Sequence, residues 1–173
     1  MKDWYGIMKV LDIQHLDKNK NVLWQQQNIN NLLHLRGEEF ILRAVFAGGR
    51  VSDVIPENYY LGLDNRPTVA VSNEMSDLVG EPTFGGYTRQ PVSSSGDFTV
   101  VFENNHYIAI SVIVAFQATS GSWGPVQNLF VANAAGTDGT LISTARLEVP
   151  VVVNTGESVT MRIGMTLKDC PAT

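Results

Sequence analysis

The chain has 173 residues, 44% of them apolar and 17% charged, and twelve basic against seventeen acidic side chains leave a net charge of −5. That length suffices for one domain with its own core. A net anionic chain without a Lys/Arg cluster lacks the electrostatic footprint of nucleic-acid binding, and no apolar run approaches the roughly 18 residues of a membrane-spanning helix.

The low proportion of charge suggests a subunit that buries part of its surface against a partner. The single cysteine, Cys170, rules out a disulfide framework and a cysteine-based zinc site. The first residues, "MKDWYGIMKV", contain no apolar signal-peptide core, so the expectation is a soluble protein made in the cytoplasm and not sent through a classical secretion route.

In chain order, "IMKVLDIQ" (7–14) and "NVLWQQQ" (21–27) read as two strands of a hairpin, joined by the polar turn "DKNKN". The period then changes. In "NINNLLHLRGEEFILRAVFAGG", Leu33, Gly37, Phe40, Ile41, Ala44 and Val45 recur at helical spacing. Asn30 or Asn31 is the expected cap and Gly48-Gly49 the expected stop. Gly37 lies on the apolar stripe, where glycine costs about 1 kcal/mol, which predicts close approach to a neighbour.

"YYLGL" (59–63) is a strand, and "VAVSNEMSDLVGEP" carries a short helix between Asn73 and Pro82. "FTVVFE" places Phe98, Val100 and Phe102 on one face. "HYIAISVIVAF" has bulky even and small odd positions, which predicts one central strand over 107–116, covered on both sides. In "TLISTARLEV", Ser143, Ala145, Leu147 and Val149 alternate with Thr144, Arg146 and Glu148. "SVTMRIGMTLK" turns Val159, Met161, Ile163, Met165 and Leu167 inward. Turn-forming stretches lie between these strands. The expected class is mainly β: an antiparallel β-sandwich, jelly-roll-like, with an N-terminal β-hairpin and one α-helix. Residues 1–50 form the hairpin and helix, packed on or projecting from a body at 51–173.

The chemistry-bearing motifs are missing. There is no P-loop, no HExxH and no G-x-S-x-G. His15, His34 and His106 have no metal-ligand spacing. Glu38 and Glu39 are adjacent on a helix and do not face each other. Asp64-Asn65, Glu103-Asn104-Asn105 and Asp138 offer oxygen ligands for a loose calcium site, but turn chemistry also explains them. Trp4, Tyr5, Trp24, Tyr59, Tyr60, Tyr87, Tyr107 and Trp123 could stack on sugars, yet they serve equally as core or interface. No catalytic residue, metal or cofactor is expected.

The stretch "GEPTFGGYTRQPV" (80–92) reads as a structural lock. Gly85-Gly86 permits positive φ and a sharp reversal. Glu81 and Arg89 flank that reversal, so folding back would join them in a bidentate pair, with Tyr87 as a half-buried plug. Binding of an anion or substrate by Arg89 is the competing reading. Trp4, Tyr5, Trp24 and Trp123 are the candidate interface residues. Residues 1–29 either form an attachment arm or complete the core.

"YYLGLDN", the acidic "MSDLVGEP" and "GGYTRQPV", preceded by the helix carrying "GEEFILRAVFAGG", resemble small structural proteins of tailed bacteriophages over roughly residues 35 to 165. The resemblance implies a virion component made in the host cytoplasm: a capsid decoration or cement protein, or a head–tail or tail accessory subunit. It implies other virion proteins as partners, homo-oligomerisation, and no catalytic residue. A carbohydrate- or receptor-binding module is the competing expectation.

Overall fold

The computed structural model describes residues 4–45, 55–78, 80–103 and 106–169, without the side chains of residues 4–8 and 167–169. The expected helix stop Gly48-Gly49, Cys170 and the two asparagines of Glu103-Asn104-Asn105 lie outside the described residues. So do the side chains of Trp4 and Tyr5.

The first two strands, β1 (Trp4–Leu16) and β2 (Val22–Leu33), form the expected hairpin, and both are longer than their sequence signals. The turn between them is closed by the Asp17 carboxylate, which accepts the backbone N–H groups of Asn19 and Asn21 at 2.7 and 2.8 Å. The chain then enters α1 (Leu35–Val45). Asn30 and Asn31, expected as helix caps, instead pair within the sheet, opposite Lys9 and Ala145. Strand neighbours on both sides supply backbone partners there and override the weak strand preference of asparagine.

The remaining strands are β3 (Asn58–Asp64), β4 (Gln90–Ser93), β5 (Phe98–Glu103), β6 (His106–Ser111), β7 (Val114–Gln117), β8 (Trp123–Ala132), β9 (Leu141–Val153) and β10 (Ser158–Asp169). A 3-10 turn at Met75–Asp77 replaces the short helix expected after Asn73. The single predicted strand over 107–116 is broken at Val112–Ile113 into β6 and β7. They lie end to end along β10, β7 on its first half and β6 on its second. Tyr107 and Ile113 are exposed, so this stretch is not covered on both sides.

All pairings are antiparallel, in the order β4-β3-β8-β9-β2-β1-β10-β6-β5, with β7 also on β10. The sheet curls until β4 approaches β7, leaving it nearly closed as a barrel. The hairpin at 4–33 is therefore neither appended nor projecting. It sits in the middle of the sheet, with β10 on one side and β9 on the other. The expected division at residue 50 does not describe this arrangement, and an arm over residues 1–29 is incompatible with it.

The alternation expected for β10 holds through Ile163; beyond it Met165 is only partly buried, Thr166, expected outside, is buried, and the side chain of Leu167 lies outside the described residues. Val159, Met161 and Ile163 are buried in one cluster with Val10, Ile13, Leu129, Val131 and Phe116. A smaller cluster of Met75, Leu78, Phe130, Ala132 and Leu141 lies on the other face of β8, so β8 is buried on both sides. The residues that cover this outer face come from the segment between β3 and β4.

Helix α1 packs on β9. Gly37 is buried there, and a Cβ built on it would lie 2.7 Å from the Ile142 Cα. The clash is with backbone, which cannot rotate away. Gly37→Ala gains about 1 kcal/mol of helix propensity but forces overpacking that costs about 1–3 kcal/mol. The expected outcome is a lower thermal midpoint, measured by circular dichroism; a raised midpoint would show that α1 can shift away from β9.

Candidate functional site

The stretch from Gly80 to Val92 folds back on itself as its glycines require. Gly85 and Gly86 have φ of 69° and 83°. A side chain on Gly85 would meet the Gly121 carbonyl and the Trp123 indole. The Gly85 carbonyl accepts hydrogen bonds from the Thr119 backbone N–H (2.8 Å) and from Trp123 Nε1 (3.3 Å). The reversal is thus seated on the segment leading into β8.

Across it, Glu81 and Arg89 meet. Arg89 Nη2 donates to Glu81 Oε2 at 2.7 Å, and Nε donates to Oε1 at 2.9 Å. Arg89 Nη1 donates to the Ala135 and Gly136 carbonyls, both at 2.8 Å. Its guanidinium lies 5.3 Å from the centre of the Phe130 ring. The side chains of both partners are largely buried. The bond to Glu81 holds the Arg89 proton more firmly than usual. Because Glu81 and two carbonyls fill the fork, an anionic ligand would have to displace Glu81 to reach it.

Tyr87 completes the unit. Its hydroxyl donates to Glu81 Oε1 and accepts the Leu63 backbone N–H, each at 2.8 Å. Pairing between β3 and β4 runs from Asn58↔Ser93 to Leu61↔Gln90, so the phenol serves Leu63 where the ladder has stopped. The Tyr87 ring stacks on Phe116 and meets Trp123 edge-on. Burial, and then the Glu81 carboxylate, push the phenol far above its ordinary pKa, so it remains a donor.

A second buried ion pair, which the sequence reading did not find, lies at the end of β3. Arg66 Nε donates to Asp64 Oδ2 at 2.6 Å, and Arg66 Nη1 donates to the Asp77 carbonyl at 3.0 Å. Asn128 Nδ2 bonds the Arg66 carbonyl at 2.7 Å. Asp64, considered as a calcium ligand, is committed to this network. The signal in the sequence was Asp-x-Arg directly after a buried strand, and turn chemistry masked it. Among the described residues no group of three or more His, Cys, Asp or Glu side chains is placed to hold a metal.

The other candidate residues separate. Trp123 is only 2% exposed and belongs to the core, so it offers no surface to a partner. Its position at the start of β8, opposite Val153, turns it into the core instead of toward an interface. Trp24 is half-buried and packs against the main cluster. His15 bonds Glu157 at 2.8 Å, and His34 is fully enclosed.

The exposed apolar surface lies elsewhere, on the β5–β6 hairpin at the end of the strand order. Val100, Phe102 and Tyr107 are 64%, 60% and 70% exposed. They share a face, because Val100 pairs with Ala109 and Phe102 with Tyr107. The Phe102 and Tyr107 rings are 5.0 Å apart. Phe98, on the same face, meets Tyr59 edge-on at 6.1 Å and anchors the near end of the hairpin to β3. The sequence did show Phe98, Val100 and Phe102 on one face, but not that this face is left exposed beyond Phe98.

Comparison with family models, curated proteins and solved structures finds no match for this chain.

Removing one member of a buried ion pair leaves its partner charged and unpaired, at a cost of about 3–5 kcal/mol. Arg89→Ala is therefore expected to lower the denaturation midpoint strongly and to free the 133–140 loop for proteolysis. Tyr87→Phe strands the Leu63 N–H and should cost about 1–3 kcal/mol. Urea unfolding measures both, and an unchanged midpoint in either variant would show that the unit does not hold the fold.

Proposed function

We propose that the protein is a structural subunit of a tailed-phage particle, of the capsid decoration or cement type, which stabilises a lattice through subunit–subunit contacts. On this reading it is made in the host cytoplasm and carried on the virion, self-associates, and takes other virion proteins as partners. The role is assembly, without catalysis or cofactor. The expectation of a sandwich-like, jelly-roll-like body goes with it: two walls, β4-β3-β8-β9 and β2-β1-β10-β6-β5, meet at the short β2–β9 ladder and share one core.

The observation that carries the reading is the uncovered apolar face of the β5–β6 hairpin, mounted on a body whose loops are tied down by buried ion pairs. A contiguous exposed apolar surface on a rigid mount suits protein–protein contact. The sequence resemblance to small phage structural proteins supplies the class of partner.

A second reading, a carbohydrate- or receptor-binding accessory module, is favoured by one feature of the same hairpin. The Phe102–Tyr107 pair is an exposed aromatic platform of the kind on which a sugar ring can stack.

Val100→Ser combined with Phe102→Ser tests both. Surface changes of this kind usually alter stability by less than about 0.5 kcal/mol. The assembly reading expects a folded variant that no longer sediments with purified particles, whereas the wild-type chain is found in them in many copies by mass spectrometry. Absence of the wild-type chain from particles, with glycan-array binding that the double variant loses, would replace the assembly reading by the second.

A further inference from the structure

We propose that His34 is an acid-sensitive latch on α1: proton uptake by its enclosed ring releases the helix from β9 while the barrel remains folded. The inference rests on the placement of His34 and is independent of the virion reading.

His34 is the one residue between β2 and α1, and it is 0% exposed. Its backbone is fully engaged. The N–H donates to the Ile142 carbonyl at 3.0 Å, and the carbonyl accepts the Glu38 N–H at 2.9 Å as the first bond of the helix. The ring joins two further elements. Nε2 lies 2.7 Å from Thr144 Oγ1 on β9, and Nδ1 lies 3.4 Å from the Val71 carbonyl. Leu35, the next residue, donates its N–H to that same carbonyl at 3.0 Å. The histidine thus ties the start of α1 to β9 and to the 70–71 turn at one point.

The neutral ring suits this place. Nδ1–H donates to Val71, and Nε2 accepts the Thr144 hydroxyl proton. A second proton, on Nε2, would oblige the Thr144 hydroxyl to turn and accept instead of donate. It would also set a positive charge at the helix end whose free N–H groups already carry partial positive charge. The charged groups around the ring do not offset this. Arg66 opposes protonation, and Asp77 favours it but accepts the Glu74 N–H and an Asn73 side-chain hydrogen bond. From β9 the ring meets uncharged Thr144, and Arg146, two residues on, donates to the Pro67 carbonyl. On α1, Arg36 is already shared by Glu39 and Glu74, Arg43 is bonded to Glu39, and Glu38 is exposed. Burial outweighs the Val71 and Ala70 carbonyls, which favour the proton, and lowers the His34 pKa below its ordinary value.

The sign of the linkage follows. With α1 released, the imidazole would titrate near its ordinary value of about 6.5. With α1 docked, it takes up a proton only at lower pH. Between these two values the released state binds more protons, so acid favours release. Docking is fully retained above about pH 6.5 and is lost as pH falls toward the docked-state pKa. The helix is the element that yields, because Leu35 and Leu42 on its outer side are exposed and its hold on the body is limited to His34, Gly37 and Phe40, with Ile41 and Ala44 packed partly buried beside them. Elements with few buried contacts open below the global unfolding free energy.

Hydrogen exchange on the full chain, expressed as protection factors from pH 7.5 to 5, tests the latch. Protection of α1 should fall about tenfold per pH unit below about pH 6.5, relative to β1 and β10, until the docked ring protonates. In His34→Gln that dependence should vanish. If that variant does not fold, NMR titration of the wild-type ring decides: its protonation should coincide with the loss of α1 protection. An α1 that keeps its protection after the His34 ring has titrated overturns the proposal, as does an equal acid response in His34→Gln.

Discussion

The ladder between β1 and β10 is the constraint on which the fold depends. It runs from Trp4↔Asp169 to Leu16↔Ser158, with one irregularity beside Leu11. It sets the first strand against the last. Through β1 the ladder continues to β2 and β9, and through β10 to β7, β6 and β5. Without it the strand order divides into β4-β3-β8-β9-β2-β1 and a remnant of β10 with β7, β6 and β5. Neither fragment could enclose Ile13, Phe116, Met161 and Leu129 together. Such pairing is as non-local as a chain of this length allows, and non-local sheets fold slowly because loop closure comes before the contacts that reward it.

Once the walls are joined, β8 is left with an outer face to cover. Two arginines organise the cover, and both work in the same way. Arg66 joins Asp64 to the Asp77 carbonyl, and Arg89 joins Glu81 to the carbonyls of Ala135 and Gly136. In each case a planar guanidinium satisfies a carboxylate on one side and irregular backbone on the other. Irregular segments seldom satisfy their own carbonyls, so a buried arginine is an economical way to fix them. A burial site is costly for an ion pair, but here each pair also replaces hydrogen bonds that the loops would otherwise lack.

Much of this was legible in the sequence, and the failures have physical reasons. The β1–β2 hairpin, the alternation in β10, the close approach at Gly37 and the meeting of Glu81 with Arg89 all follow from local pattern. They depend on side-chain period, on positive φ at paired glycines, and on complementary charge across a reversal. What local pattern does not carry is which distant strand takes which edge. Asn30 and Asn31 belong to a strand only because Lys9 and Ala145 lie beside them. Trp123 is core because β8 begins earlier than its turn-like neighbours indicate, and Gly85 closes over its indole. The 107–116 run looks central because its residues are apolar. In the fold its first half pairs with the second half of β10 and with β5, and its second half is a short segment near the barrel seam.

The free edge of β5 brings the fold and the proposed role together. β5 ends the strand order, and among the described residues nothing pairs with its outer edge. Natural edge strands are commonly blunted by lysine, proline or a bulge. Proline does appear on the other terminal strand, where Pro91 of β4 is exposed. "FTVVFE" has neither lysine nor proline, and its one charge is at the far end. Phe98 spends its ring on Tyr59 inside the body, while Val100 and Phe102, two and four residues on, continue the same face into solvent. The inward face of the wall thus becomes the outward face of the hairpin without any change of composition. A monomer gains nothing from that continuity and bears its cost in solubility. An assembling subunit gains a surface that already has the character of a core, held in register by the pairing of β5 with β6 and of β6 with β10.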